Sequence, residues 1–419
     1  MKPSRLFSRE RWLIGLDIGS SKICAAIGRQ PIGGSTEIVG VGMVPADGVE
    51  AGAVIDLELV VDGIRRAVEE AQRRSGARCR GMIVGGSGPW LRLVPAIGRV
   101  RIADQAREIT RRDVERAVAA ATTIHLPMDR DVLHTLIRRF AVDEHNDVRM
   151  PIGMYGRRLG VEVSLVTAPI TALANLARVV QLAGFSTERI VWSRLAAAEA
   201  IASAAQRQAG VMVMEFGMEI SSILMYRHGR VVGASLYPQG STQLRNAISR
   251  ALKLERELAD EVIRQWGVRV RADRRSGGQV LVGIGAGQQT LVQEELAGIV
   301  DRSLDRWLET VEKAVTQADP EFRSHYPHGV VVTGGVSALD GLAERVASHL
   351  GVEASCGTVS VGSGRMLKAE ESGRVAAAIG LVHQGLTVSD RLGLQELDGQ
   401  RGLAKHLLNS LSRLYEDYF

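Results

Sequence analysis

Several residue types are scarce in this chain, and each scarcity removes a class of function. Aromatic residues make up 4% of its 419 positions. That is too few for the stacking platforms that read single-stranded nucleic acid. The net charge of +5 is modest for the length and does not demand a polyanionic partner, so no nucleic acid is expected. Only three cysteines occur, Cys24, Cys79 and Cys356. Odd in number and scattered, they fit neither a disulfide framework nor a metal site and point to a reducing cytosol. No run of about 18 apolar residues exists, so no segment is expected to span a bilayer as a helix. The amino terminus is basic, but the apolar run after it breaks at Asp17, so no signal peptide is expected. His134 and His145 lie near Asp143 and Glu144 with no second cluster to join them, and no metal site is expected.

What is present is the composition of a soluble globular protein, 45% hydrophobic and 24% charged with 46 glycines, long enough for two to four domains' worth of core. The stretch that organises it is Ile14-Gly15-Leu16-Asp17-Ile18-Gly19-Ser20-Ser21-Lys22-Ile23. An apolar run ends in an acid, a glycine turn follows with two hydroxyls and a lysine, and a second apolar run begins. This reads as a β-hairpin. Gly19 permits close backbone approach, Ser20 and Ser21 offer donors, Lys22 adds a point charge, and Asp17 is placed to hold a metal-bound water. Such a turn suits a phosphate; an ordinary polar hairpin turn has the same pattern.

Runs at 13–18, 23–27 and 37–43 predict an antiparallel meander, followed by a helix over 57–74 and a strand at 82–86. Residues 89–165 are punctuated by Pro89, Pro95, Pro127 and Pro151, with a helix predicted at 112–123 and strands at 132–143 and 158–167. Helices are predicted over 169–184 and 194–206. A second meander follows at 211–216, 221–226 and 231–236, with His228-Gly229 as its hairpin turn. Its pattern of strand, polar turn, strand, strand repeats the opening one. Two similar halves facing each other form a cleft suited to a nucleotide. Beyond it come predicted helices at 244–253, 255–266 and 291–316, strands at 268–271, 279–282 and 330–333, and a helix at 339–350.

This order of parts resembles the actin/Hsp70/sugar-kinase superfamily, and within it the FtsA family, over nearly the full chain. Leu16-Asp17-Ile18-Gly19-Ser20-Ser21-Lys22 is similar to the first phosphate loop. Val331-Val332-Thr333-Gly334-Gly335-Val336-Ser337 is similar to the adenosine motif. Glu261 and Arg264 resemble the helix that cradles adenine and ribose, and Ala377-Ala378-Ile379-Gly380-Leu381 the helix that closes the core. Within 89–165, Asp113-Val114, Ile124-His125-Leu126-Pro127, Val132-Leu133-His134, Pro151-Ile152-Gly153-Met154 and Gly156-Arg157-Arg158-Leu159 follow in order the family's inserted subdomain.

One motif departs. Where the family has an acid, small residues and a Thr, this chain has Glu215-Phe216-Gly217-Met218-Glu219-Ile220. Met218 hinders close approach to a phosphate. Glu219 places like charge beside it, a cost of roughly 1–4 kcal/mol at contact distance. Ser221 and Ser222 are alternative donors, but they lie past the expected turn. The resemblance implies ATP with Mg2+ as cofactor, held by Asp17, Gly19, Ser20, Ser21, Lys22, Gly217, Gly240, Glu261, Arg264, Gly334, Gly335 and Ser337, with Glu215 in the catalytic position. The altered loop argues for weak or lost ATP turnover.

From Gly385 the chain is polar and glycine-rich until Gly402, which reads as a linker. Residues 403–419 then place Leu403, Leu407, Leu411, Leu414 and Tyr418 at helical spacing, widened by Leu408, Tyr415 and Phe419. Such a helix either docks on protein or lies in a membrane interface. The tether favours the membrane, and so does the resemblance, whose members end in an amphipathic membrane helix. Arg269, Arg271, Arg274 and Arg275 make a basic stretch, a solvated face or a dock for an acidic peptide. The resemblance puts the tail of the division tubulin FtsZ in that subdomain.

The expected fold is α/β, a duplicated actin-like (ribonuclease H-like) core with two mixed sheets around a cleft. Its first core unit spans 1–88, completed by 166–205 and 355–385. The insert is 89–165, the second core unit 206–239 with 325–354, and a small subdomain 240–324. A linker over 386–402 and a terminal helix over 403–419 follow. The resemblance implies a self-assembling division protein on the inner face of the membrane, with FtsZ, anionic lipid and other division proteins as partners. Two rivals remain: a scaffold for another envelope machine such as pilus assembly, or a phosphotransferase of the superfamily. The latter needs an intact second loop and a substrate base.

Overall fold

The computed structural model describes residues 10–392 apart from 33, 257, 260, 261, 263–278, 285, 286, 340 and 363. Strands β1 (Arg11–Ile18), β2 (Lys22–Gln30) and β3 (Glu37–Pro45) form the opening meander. Helix α1 (Leu57–Ser75) starts at Asp56, whose carboxylate accepts the Glu58 and Leu59 N–H groups at 3.0 and 3.1 Å. It ends at Gly76 in the left-handed conformation that glycine adopts freely. Its stripe of Val60, Ile64, Ala67, Val68 and Ala71 packs with Ile14, Leu16 and Ile18 of β1. Strand β4 (Gly81–Gly86) then pairs parallel to β1.

The insert follows: β5 (Arg92–Arg101), α2 (Arg111–Thr122), β6 (Arg130–Val142), β7 (His145–Val148) and β8 (Arg158–Pro169), in sheet order β7-β6-β8-β5. Val114, Ala117, Val118 and Ala121 of α2 pack on Ile137, Phe140, Val161 and Val163. Sequence pattern did not reveal β5, because Pro95 and Gly98 break its alternation. It is an edge strand, where a missing N–H is tolerated.

Helix α3 (Ile170–Leu182) leads to β9 (Ser186–Trp192), which completes the first sheet in the order β9-β4-β1-β2-β3. Helix α4 (Ser193–Ile201) follows. The single helix expected over 194–206 is in fact two. Ser203 interrupts it and caps a short second helix (Ala204–Ala209), its hydroxyl accepting the Gln206 N–H while the Gln206 side chain accepts the Ser203 N–H at 2.9 Å.

The second half repeats the plan. Strands β10 (Val211–Phe216), β11 (Ser221–Arg227) and β12 (Arg230–Tyr237) form a meander, and α5 (Ser241–Leu252) follows. A hairpin, Gln279–Ile284 with Gly287–Val292, precedes α6 (Gln293–Ala318). The second hairpin strand takes residues 291 and 292, which had been expected to open the helix. Then come β13 (Val330–Gly334), a 3-10 turn (Gly335–Ala338), α7 (Leu342–Leu350) and β14 (Ala354–Cys356). The 3-10 turn displaces the expected helix start from 339 to 342. Sheet order is β12-β11-β10-β13-β14. In both sheets the third, second, first, fourth and fifth strands of the unit lie side by side, which is the duplication expected from sequence.

Helix α8 (Ala369–Leu392) packs across Leu13, Cys24 and Ala26 of the first sheet and Ala196 and Ala197 of α4. It needs glycine at two contacts: a Cβ on Gly15 would collide with the Ala378 carbonyl, and one on Gly380 with the Ala196 carbonyl. The helix also continues past 386, so the expected linker boundary moves to at least 392. Residues 393–419, including the terminal amphipathic segment, lie outside the described residues. Gly380→Val is expected to lower stability by roughly 1–3 kcal/mol, measured by chemical denaturation.

The insert has its own electrostatic anchor. Buried Asp113 accepts both Arg107 Nη groups at 2.9 Å, Arg116 at 3.1 Å, and the Thr110 N–H and hydroxyl at 2.9 and 2.7 Å. The Arg107 guanidinium, with the Thr110 donors, holds its carboxyl well below the usual carboxylate range, outweighing burial. A depressed folded value contributes stability above the unfolded value of about 4 and loses it as pH falls below that. Asp113→Asn is expected to cost roughly 1–3 kcal/mol at pH 7. The wild-type advantage over this variant should shrink below about pH 4, as read by thermal unfolding of both proteins across that range.

Candidate functional site

The first strand of each sheet ends in an acid, and the two acids are structurally equivalent. Asp17 lies opposite Gly85 of the parallel neighbour and Cys24 of the antiparallel one. Glu215 lies opposite Thr333 and Ser222 in the same way. Ligands of open α/β sheets bind outside the carboxyl ends of the strands, and there both hairpin turns converge. The Glu215 carboxyl is within electrostatic reach of both Asp17 and Lys22.

The first loop is a tight turn closed by the Gly19 N–H to the Lys22 carbonyl at 3.1 Å. Ser20 Oγ accepts the Gly52 N–H at 2.9 Å, and Ser21 is exposed. Asp17, nearly buried, accepts the Ser193 hydroxyl at 2.6 Å, which Gly85 permits, since a Cβ there would meet Ser193 Oγ at 2.6 Å. On the opposite side, Gly334 adopts φ +95° and Gly335 is exposed, with nothing within 4 Å of where its Cβ would stand. Ser337 donates to the Gly334 carbonyl at 2.6 Å and shapes that turn from within. The turn at Gly335 is therefore open, and in the first loop Ser21 faces solvent.

The second loop makes the same turn as the first, and the start of α5 is bonded to it. The Gly217 N–H donates to the Ile220 carbonyl at 3.0 Å. The first N–H groups of α5 are taken too: Ser241 donates to the Gly217 carbonyl at 3.0 Å and Thr242 to the Met218 carbonyl at 2.9 Å. Gly240, the α5 cap, gives its N–H to Gln243 Oε1 at 2.6 Å. Ser221, considered from sequence as a substitute donor, is buried and donates to the Gln239 carbonyl at 2.7 Å. Behind this loop an apolar cavity of about 260 Å³ opens between α5 and α6, lined among others by Phe216, Leu244, Arg250, Arg306 and Trp307. Trp307 packs on Phe216 with ring centroids 4.0 Å apart.

Sequence reasoning missed the residue that joins these parts. Arg194, in the first turn of α4, pairs with Glu215, donates to Ser87 Oγ at 3.2 Å and reaches the Ile220 carbonyl at 3.3 Å. Both partners of the pair are 13% exposed. Burial pushes the Glu215 carboxyl up, and the Arg194 guanidinium pulls against it. The only signal was a cation opening an alanine-rich helix directly after an apolar strand. Magnesium takes an octahedral set of oxygen ligands. Here the second acid offers one oxygen without a hydrogen-bond partner, Glu215 Oε2, beside a guanidinium that repels the ion. Magnesium usually keeps several waters and takes only one or two carboxylates beside the phosphates, so what opposes it here is the Arg194 cation already paired with Glu215. Among the described residues, no group of three or more His, Cys, Asp or Glu side chains converges as metal ligands. His134 instead accepts the Trp192 N–H at 2.9 Å. Glu261, Arg264, Arg269, Arg271, Arg274 and Arg275 lie outside the described residues.

Two copies of one five-stranded sheet, facing each other across paired hairpin turns, define an actin-like protein. Solved structures agree on the fold. The PilM protein of a PilM-PilN type IV pilus biogenesis complex matches with TM-score 0.63 at 19% identity, covering 89% of this chain and 98% of that one. MreB5 of Spiroplasma citri bound to ADP matches with TM-score 0.55 at 11% identity, covering 92% and 99%. Residues 88–167 match the family described as the SHS2 domain inserted in FtsA. The cell division protein FtsA of Pseudomonas aeruginosa is 30% identical over 337 residues, 80% of each chain. The chain belongs to the FtsA family.

The Arg194–Glu215 pair yields a stability prediction. Glu215→Ala leaves a buried guanidinium uncompensated and is expected to cost roughly 3–5 kcal/mol, whereas replacing both partners by leucine should recover most of that loss. Urea denaturation of the two single variants and the double variant measures the coupling; additive losses would refute it.

Proposed function

We propose that this protein is an actin-like adaptor of cell division, which polymerises on the inner face of the cytoplasmic membrane at the division site and ties the FtsZ ring to it, with weak or absent ATP turnover. The observation that carries this reading is the family-specific insert at 88–167 set within an actin-like frame, together with curated division relatives matched over most of both chains. Among the described residues no helix is long and apolar enough to cross a membrane. Attachment is therefore assigned to the amphipathic pattern of Leu403, Leu407, Leu408, Leu411, Leu414, Tyr415, Tyr418 and Phe419. A helix of about 17 residues with Lys405, His406 and Arg413 toward its polar side suits an interface containing anionic lipid. Glu416 and Asp417 weaken that attraction.

The FtsZ tail is the proposed peptide partner, with Arg269, Arg271, Arg274 and Arg275 as its candidate contacts. The fold likeness to PilM keeps a second reading, a scaffold for a pilus machine. A phosphotransferase is disfavoured by the paired Glu215, which is not free to activate a hydroxyl. Liposome flotation tests the tether: the full chain should float with vesicles containing anionic lipid, and a chain lacking 403–419 should stay at the bottom. Unchanged flotation would sink the membrane assignment. Capture by an immobilised FtsZ tail peptide, lost when the four arginines become alanine, separates the division role from the pilus one.

A further inference from the structure

We propose that Arg194 is a resident cation of the cleft, standing where a metal–phosphate complex would otherwise join the two core units, so that the chain reaches its closed arrangement without a magnesium nucleotide. Arg194 belongs to the first unit, since α4 continues β9 of the first sheet and is clasped by α8. Its guanidinium contacts Ser87 of that unit, and across the cleft it contacts the Glu215 carboxylate and the Ile220 carbonyl of the second. One side chain thus spans the gap with three partners, two of them beyond it.

The second loop is built around this guanidinium. A Cβ on Gly217 would collide with the Ile220 carbonyl and with Arg194 Nη2, so the glycine serves the turn and also leaves room for the arginine. The first α5 amides are bonded to this loop, Ser241 to the Gly217 carbonyl and Thr242 to the Met218 carbonyl. The neighbouring Ser193 holds Asp17 through its hydroxyl at 2.6 Å. Two adjacent residues of α4 thereby engage both strand-end acids, Asp17 and Glu215. In a metal site of this geometry those acids would face one shared ion. Here each has a covalently attached partner whose local concentration no dissolved ion matches.

This goes beyond the adaptor reading, and its test uses neither lipid nor partner peptide, so either can fail alone. The full chain, purified free of nucleotide, is unfolded thermally with ATP and magnesium up to millimolar concentration, with ATP and EDTA, and with neither. The three melting curves are expected to coincide. Ligand binding to the folded state raises the midpoint, so a rise of more than ~2 °C with ATP, magnesium-dependent or not, overturns the proposal. Hydrogen exchange provides the second readout. In Arg194→Ala, and in the Arg194→Leu/Glu215→Leu double variant that avoids a buried lone charge, amides of 211–227 are expected to exchange at least ~10-fold faster than in the wild type, through cleft opening below the global limit. Unchanged exchange in the double variant, whose fold is the better protected, would show that the guanidinium does not hold the units together.

Discussion

The molecule depends on the convergence of two strand ends. Each sheet places its first strand in the middle, buried on both faces, so the end of that strand is held by paired strands on either side. Asp17 and Glu215 sit at those points. A polar group buried there requires a partner, and the chain supplies both partners from consecutive residues of one helix. That helix is fixed in turn by α8, which lies against the first sheet and reaches the glycine turn after β13, where a Cβ on Gly373 would meet the Gly334 carbonyl. Cleft, helix pair and both sheets form one connected set of contacts.

The insert follows a different logic. It has its own core, from Val114 to Leu165, its own capped helix and the Arg107–Asp113 anchor. It is joined to the second unit by a shared apolar cluster, in which Leu91, Leu136 and Val166 pack with Val213, Leu224 and Val231, and by polar contacts such as Arg138 to the Val232 carbonyl at 3.0 Å and Arg230 to the Arg149 carbonyl at 2.8 Å. The insert therefore meets the second unit through packed side chains as well as hydrogen bonds.

Much of this was legible from sequence. The two meanders were, because apolar runs bounded by polar turns mark strands whatever their partners. So was the duplication, because it is a pattern of order. Strand β5 was hidden because Pro95 suits an edge, and edges are assigned by neighbours that only the fold supplies. The break at Ser203 was written locally as Ser-x-x-Gln but sits inside an alanine-rich run whose helical propensity masks it. The loss of glycines at 218–219 showed that the second loop had changed. It did not show what fills the space, because Arg194 lies 21 residues earlier and meets Glu215 only through the crossing of α4 over the sheet ends.

The bond from Ser193 to Asp17 alters how such a motif is to be read in other chains. An acid at the end of the first strand of an actin-like unit is commonly taken as a sign of nucleotide chemistry. Here that carboxylate also accepts the Ser193 hydroxyl at the start of α4, so removing it would disturb packing. Such an acid can hold packing whether or not it also faces a ligand. In this chain the residue two places after the fifth strand of the first unit, Arg194, sets a long cation against the second loop.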